Sequence, residues 1–214
     1  MNILIVGGGR VGRTLLEELE GESEVSIVEL RSEVCEKIAS SSSSLVIQGD
    51  GTNPSVLQEA GIESCDVLIA ATADGKTNLV VCQLAKKYNN IKRRIARIVA
   101  REDEGIFEEL GVSDAIWEVQ AIVDMIRSSI FGVEALPVGE RDMLIKVLVR
   151  EKNPEVGKTI REIKFPKKGT LFLGIFRAGQ LVMPSNAEIV AGGDILLFIS
   201  HKENLTKFSE MFWR

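Results

Sequence analysis

Gly7, Gly9 and Gly12 stand at the spacing Gly-x-Gly-x-x-Gly, directly after the apolar run 3–6 and directly before the amphipathic stretch holding Leu15, Leu16 and Leu19. A strand, a glycine turn and a helix in that order can seat a pyrophosphate. Gly7 permits the tight turn, Gly9 lets backbone approach the phosphates, and Gly12 lets the helix pack closely on the strand. The helix start adds free N–H groups and the positive end of its dipole. A second apolar run, 25–28, ends in Glu29. That acid falls about 20 residues beyond the glycines, where a carboxylate can accept hydrogen bonds from ribose hydroxyls. The chemistry implied is adenine-nucleotide binding, and the motif by itself implies no reaction.

Other residues with chemical potential fall after later strands. Arg10 and Val11 sit inside the glycine turn, and the Arg10 guanidinium either reaches a phosphate or stays an exposed arginine. Asp50 is an adenosine-edge contact or an ordinary turn aspartate. Thr72, Asp74 and Asn78 follow the fourth strand and could touch a nucleotide, although Asp74 could equally cap a helix. Arg97 is a charge inside an apolar strand, which is costly without a partner. A phosphate or a carboxylate such as Asp74 would satisfy it, unless the side chain reaches solvent from the strand end. Lys86, Lys87, Lys92, Arg93 and Arg94 read as a solvated surface between helix and strand, with an anion or lipid-headgroup patch as the other reading.

These residues need a scaffold that gathers several strand ends at one edge. Strand patterns recur at 3–6, 25–29, 45–47, 66–71, 95–99 and 115–117. Between them, Asn53-Pro54 opens a helix that closes at Gly61, and Leu79, Val80, Cys82, Leu84 and Ala85 give another helix its buried face. A further helix over 103–110 ends at Gly111. Right-handed crossovers in such a series give an α/β fold, a Rossmann-like doubly wound parallel sheet with ligands at the carboxyl ends of its strands.

Val119, Ile122, Val123, Ile126 and Ile130 then recur with helical period over 119–131, with no strand partner in the first domain. Residues 132–139, with Pro137, read as a break. Beyond it the pattern changes to a strand at 143–149, a short helix at 157–163, a turn at 166–169 and a hairpin of 170–176 with 180–183 across Ala178-Gly179. A last strand at 195–199 and a closing helix at 203–212 complete a small α+β C-terminal domain. The expected boundaries are 1–118 for the nucleotide-binding domain, 119–134 for a hinge helix and 135–214 for the second domain.

At 214 residues, 45% hydrophobic and 27% charged, the chain has ordinary globular composition. No apolar run approaches the ~20 residues that span a bilayer. A first strand beginning at residue 2 leaves no basic, apolar leader to expect. The net charge of -5 and pI near 5.2 disfavour a nucleic-acid binder. Cys35, Cys65 and Cys82 lack paired spacing and histidine neighbours, so they read as buried hydrophobes in a reducing compartment. His201 is the one histidine and falls beyond the last strand. An oxidoreductase built on such a sheet needs an acid or base in a substrate domain, and the second domain offers no convincing pair. Binding without catalysis is the better reading.

In their order and spacing these pieces resemble the RCK family, regulators of potassium conductance, in particular the TrkA/Ktr-type subunits of potassium uptake systems. The Gly7–Gly12 turn, Glu29, Gly49-Asp50-Gly51-Thr52, Ala71-Thr72-Ala73-Asp74 with Asn78, Ile95-Ala96-Arg97 and Leu110-Gly111-Val112 are similar to that family's N-terminal domain. Gly157-Lys158-Thr159-Ile160, Arg161-Glu162-Ile163, Arg177, Met183-Pro184 and Gly193-Asp194-Ile195-Leu196 resemble its C-terminal domain. The resemblance implies a cytoplasmic gating subunit, peripheral to the membrane through a potassium channel or transporter and assembled as dimers and octameric rings. It implies NAD(H) or ATP/ADP as ligand, held by Gly7, Gly9, Arg10, Val11, Gly12, Glu29, Asp50, Thr72, Asp74 and Arg97, with Arg101 a weaker candidate. Arg10 and Arg97 would meet the phosphates, and helix 119–131 would cross between subunits as a hinge. Where calcium-gated relatives carry carboxylates on the fifth strand, Arg97 and Val99 stand here. A small NAD(P)-dependent oxidoreductase, or a nucleotide sensor for a non-potassium transporter, are the alternatives.

Overall fold

The apolar run after Met1 forms β1 (Asn2–Val6), and its side chains alternate between two cores in the computed structural model, which describes residues 1–139, 141–166, 168–182 and 188–212. Leu4 and Val6 enter one cluster with Leu68, Val81 and Ile98; Ile3 and Ile5 enter the other with Leu16, Ile27 and Ile38. Burial on both faces is what a central parallel strand requires. Each such fully buried side chain contributes about 1.5–3 kcal/mol.

The chain divides into two compact units, 1–121 and 122–214. In the first, β1 is joined by β2 (Glu24–Glu29), β3 (Leu45–Gln48), β4 (Val67–Ala70), β5 (Arg93–Ile98) and β6 (Asp114–Trp117). Every pairing is parallel and the order is β3-β2-β1-β4-β5-β6. The doubly wound sheet expected from the sequence is therefore present. Winding reverses between β1 and β4, so a crevice opens beyond their carboxyl ends.

The helices of this unit are α1 (Arg10–Leu19), α2 (Ser32–Ser41), α3 (Pro54–Glu59), α4 (Gly75–Ala85) and α5 (Glu104–Glu109). Asn53 caps α3 by accepting from the Ser55 N–H, Pro54 takes the first turn, and Gly61 follows in the left-handed region at φ 85°. The buried face of α4 matches the expected one except at Val80. Gly75, Asn78, Val81, Cys82 and Ala85 are buried, whereas Val80 is 44% exposed. Of the expected face, Cys82 and Ala85 are buried and Leu79 and Leu84 pack partly buried on the same core, so the departure lies at Val80, with Val81 buried in its stead. The basic run is also split, because Arg93 and Arg94 belong to β5.

A longer helix, α6 (Glu118–Phe131), crosses the boundary between the units. None of its residues is buried, and Ile122, Met125 and Ile126 are each more than half exposed. Among the described residues no helix is long and apolar enough to cross a membrane.

The second unit holds an antiparallel sheet of order β10-β9-β11-β8-β7, formed by β7 (Val133–Pro137), β8 (Asp142–Leu148), β9 (Thr170–Arg177), β10 (Gln180–Val182) and β11 (Ile195–His201). The expected break at 132–139 is thus corrected to a strand. It is an edge strand with Pro137 at its end, a place where a missing N–H is tolerated. The expected helix at 157–163 is replaced by turns and an isolated bridge between Thr159 and Ile189. There the Glu162 carboxylate accepts from both the N–H and the hydroxyl of Thr159, and the Glu162 and Ile163 N–H groups bond back to the Thr159 carbonyl, closing one turn. The expected hairpin forms, with Ala178 at φ 48° and Gly179 at φ 82° in its tight turn. Met183 and Pro184, and Lys167 of the expected turn, lie outside the described residues. The closing helix α7 (Leu205–Phe212) starts after a 3-10 turn and buries Phe208 and Phe212 with Val147, Ile175 and Phe198.

Candidate functional site

The turn from β1 into α1 is built by contacts that only glycine allows. Gly7 sits at φ 111°, and a Cβ there would lie 2.8 Å from the Thr72 nitrogen. A Cβ on Gly12 would run into the Gly7 carbonyl oxygen. A Cβ on Gly9, by contrast, would meet nothing within 4 Å, so the turn is open on the side where a phosphate would approach. Gly9 is the N-cap of α1, and no side chain caps the helix. The first i to i−4 bond runs from Arg13 N to Gly9 O. The N–H groups ahead of it have no helical acceptor and point to the crevice end of the helix.

Glu29 closes β2 and is only 6% exposed. Its Oε2 accepts from the Gly8 N–H at 2.7 Å, and its Oε1 accepts from Arg31 N and Arg31 Nε, each at 3.0 Å. Burial pushes this carboxyl up, but the bonds from the Arg31 side chain, the Arg31 backbone and the Gly8 N–H together hold it below the ordinary value of 4.5. The acid therefore ties the first turn to the loop after β2 while remaining ionised.

The other strand ends follow the same plan. After β3, Asp50 accepts from the N–H and hydroxyl of Thr52, each at 2.8 Å, and these bonds lower its pKa. After β4, Asp74 caps α4 by accepting from the Thr77 hydroxyl at 2.6 Å and N–H at 2.8 Å, which likewise lower its pKa. Asn78 is fully buried. Its Oδ1 accepts from the Thr72 N–H and hydroxyl, and its Nδ2 donates to the carbonyls of Thr72 and Arg97. It braces the ends of β4 and β5 and is not on the crevice wall, unlike the expectation that it touches ligand.

Arg97 does have a carboxylate partner, but it is Glu118 and not Asp74. Arg97 Nη2 donates to Glu118 Oε1 at 2.6 Å, and Nη1 reaches the Thr72 carbonyl at 3.4 Å. Its Nε is buried without a hydrogen-bond partner. A buried donor left unmade is costly, and the residue that carries it stands on the crevice wall. Glu118 is also the first residue of α6.

These groups surround one cavity of about 750 Å³ at the carboxyl edge of the sheet. Gly7, Gly9, Arg10, Val11, Glu29, Asp50, Thr72, Asp74 and Arg97 all line it, whereas Gly12 lies behind the turn as packing. Arg101 is not on the wall; its guanidinium stands 6.0 Å from the centre of the Trp117 ring. Leu30, Arg31, Thr52, Thr77 and Glu118 line the cavity without having been anticipated. For Arg31 and Glu118 the available signal was their place just past β2 and β6, at the same edge. Gly8 was also missed, and its N–H is spent on Glu29. A nucleotide fits this set of groups: free helix N–H groups, arginines on the wall, and a buried carboxylate for ribose. His201 lies far along the chain in the second unit, 2.7 Å from Asp142 through Nδ1. The three cysteines are free and buried, as expected, and burial pushes Cys82 up to about 12.

Comparison with known proteins adds sequence likeness. The TrkA-N domain family matches residues 3–118 and the TrkA-C domain family matches 144–212. A Trk system potassium uptake protein TrkA homolog of Pyrococcus abyssi is 31% identical over 92% of this chain and 92% of its own length. The TrkA homolog 1 of Methanosarcina mazei is 31% identical over 98% of this chain, which spans 48% of that relative. Among solved structures, the GsuK channel bound to NAD superimposes with a TM-score of 0.69 at 17% identity, covering 99% of this chain and 39% of that one.

Proposed function

This chain belongs to the TrkA family, carrying its N and C domains in order, and on that premise we propose that it is a nucleotide-sensing regulatory subunit of a potassium uptake system. In this reading it sits on the cytoplasmic face of the membrane, bound to a potassium channel or transporter, and works as a dimer or octameric ring. The ligand is NAD(H) or ATP/ADP. GsuK structures of the same fold are bound to NAD and to ADP. Gly7, Gly9, Arg10, Val11, Glu29, Asp50, Thr72, Asp74 and Arg97 hold it, with Gly12 shaping the turn from behind.

The observation that carries a sensor over an enzyme is the state of the cavity's carboxylates. Glu29, Asp50, Asp74 and Glu118 are each engaged by backbone, hydroxyl or guanidinium donors. The first three are held below their ordinary pKa, which suits anchors and not a proton shuttle near neutrality. The route out of the site is the Arg97–Glu118 pair. A phosphate taken up by Arg97 competes with Glu118, the root of α6, and so makes the helix geometry depend on the ligand. Only such differential affinity between two geometries shifts a gate.

Thermal-shift titration with NAD, NADH, ATP and ADP tests this. A ligand at 100 times its Kd stabilises by about 2.7 kcal/mol, a shift of roughly 5–15 °C for a unit the size of 1–121. Arg97→Ala should weaken the response at least tenfold in concentration. A protein whose melting none of the four nucleotides moves is not a sensor of this kind.

A further inference from the structure

The adenosine end of the cavity carries a feature that the nucleotide reading does not use. Glu29 and Arg31 flank the same wall and are bonded to each other. A carboxylate offers roughly four acceptor positions. Three are filled here, by Gly8 N–H, Arg31 N–H and Arg31 Nε. What remains can accept one ribose hydroxyl. Arg31, meanwhile, spends only Nε on Glu29, and its side chain is 56% exposed. Its Nη groups make no hydrogen bond among the described residues and lie on the cavity rim.

A carboxylate alone at this place selects a 2′-hydroxyl, because it repels a 2′-phosphate. An arginine nearby receives that phosphate. This chain has both, fastened together. The buried acid is neutralised at its outer oxygen, and the free fork of the guanidinium is the group a ligand meets first. Resting on the reading that the cavity takes an adenine dinucleotide, we propose that Arg31 sets its ribose specificity and opens the site to 2′-phosphorylated dinucleotide, NADP(H), beside NAD(H). The pairing also explains the loop: Glu29 holds the backbone of Arg31 as well as its side chain, so the guanidinium is kept at the rim instead of sweeping through solvent. Arg31 is in this sense a specificity residue, and Glu29 positions it.

Isothermal titration of the full chain with NAD and with NADP decides the matter through the ratio of the two affinities. For the wild type the two Kd values should lie within about tenfold, each tenfold being 1.4 kcal/mol. Arg31→Gln keeps the backbone bond to Glu29 and removes the charge; it should turn the ratio against NADP by a further tenfold or more. Arg31→Lys, which restores the charge without the fork, should recover part of that loss. Glu29→Gln should move the ratio towards NADP. A wild type that rejects NADP by more than about a hundredfold while binding NAD would overturn the proposal, since the carboxylate would then be acting alone. So would an Arg31→Gln ratio equal to the wild-type ratio, which would leave Arg31 a purely structural partner. Binding of neither dinucleotide would instead remove the nucleotide reading itself, and this proposal with it.

Discussion

Glu29 shows how one side chain can serve the fold and the site together. Its hydrogen bonds favour the ionised form, so its folded-state pKa lies below the unfolded value of 4.5. The unfolded chain then binds the proton more readily, and the stabilisation is complete above that value. It is lost as pH falls through the lower, folded-state pKa. Glu29→Gln should therefore cost about 2 kcal/mol at pH 7, and the difference from wild type should shrink steadily once the pH drops below 4.5 in denaturant titrations. At this scale the sequence disclosed the glycines, Glu29 and Asp50 because each stands at the end of an apolar strand, and Arg97 because it is a charge within one. It could not disclose which carboxylate Arg97 would find. The two acids are at similar distances along the chain, but Asp74 Oδ2 is committed to the start of α4, whereas Glu118 directly follows β6, the strand paired with β5. That is a property of strand order, which no local pattern encodes.

The elements were legible where period and punctuation agreed. The strands of the parallel sheet are short apolar runs closed by polar residues, and α3 announces itself through Asn53-Pro54 and Gly61. α2 carries no clear apolar stripe in the sequence: it is rich in serine, and only Cys35 and Ile38 are buried. β7 was hidden by Pro137, a poor strand residue that the sheet edge accommodates. Within α4 sequence and structure part only at Val80 and Val81: the first is exposed and the second buried. The two are adjacent and of equal size, so they make a direct test. Val81→Ala should destabilise by about 2 kcal/mol, because it empties space in a core that cannot collapse around it. Val80→Ala should stay within about 0.5 kcal/mol, and improved helix propensity could offset even that. Equal losses in urea unfolding would mean that both faces of α4 are covered in solution.

At the scale of the whole chain, the two units have separate cores. One is built on the parallel sheet, the other around Phe198, whose ring lies 4.8 Å from Phe208 and 5.1 Å from Phe165. Each can melt as its own cooperative block, so ligand binding to the first need not stabilise the second. In the proposed gating, α6 must carry the signal. Glu118 at its first turn faces the cavity, and its last turn leads into β7 through Gly132, whose N–H bonds back to the Ser128 carbonyl. A continuous helix can transmit a reorientation at its root; a broken one cannot. Ser129 is exposed, so replacing it by proline removes one helical hydrogen bond and clashes with the preceding turn, at about 3 kcal/mol, without touching either core. Hydrogen exchange read on both units with and without nucleotide then separates binding from transmission. In the wild type, ligand should slow exchange around Gly9 and Glu29 and change exchange in β7 and β8. In Ser129→Pro the first effect should persist and the second vanish. If β7 and β8 still respond in the proline variant, the signal travels by contacts other than this helix, and the Arg97–Glu118 pair is an anchor and not a transmitter.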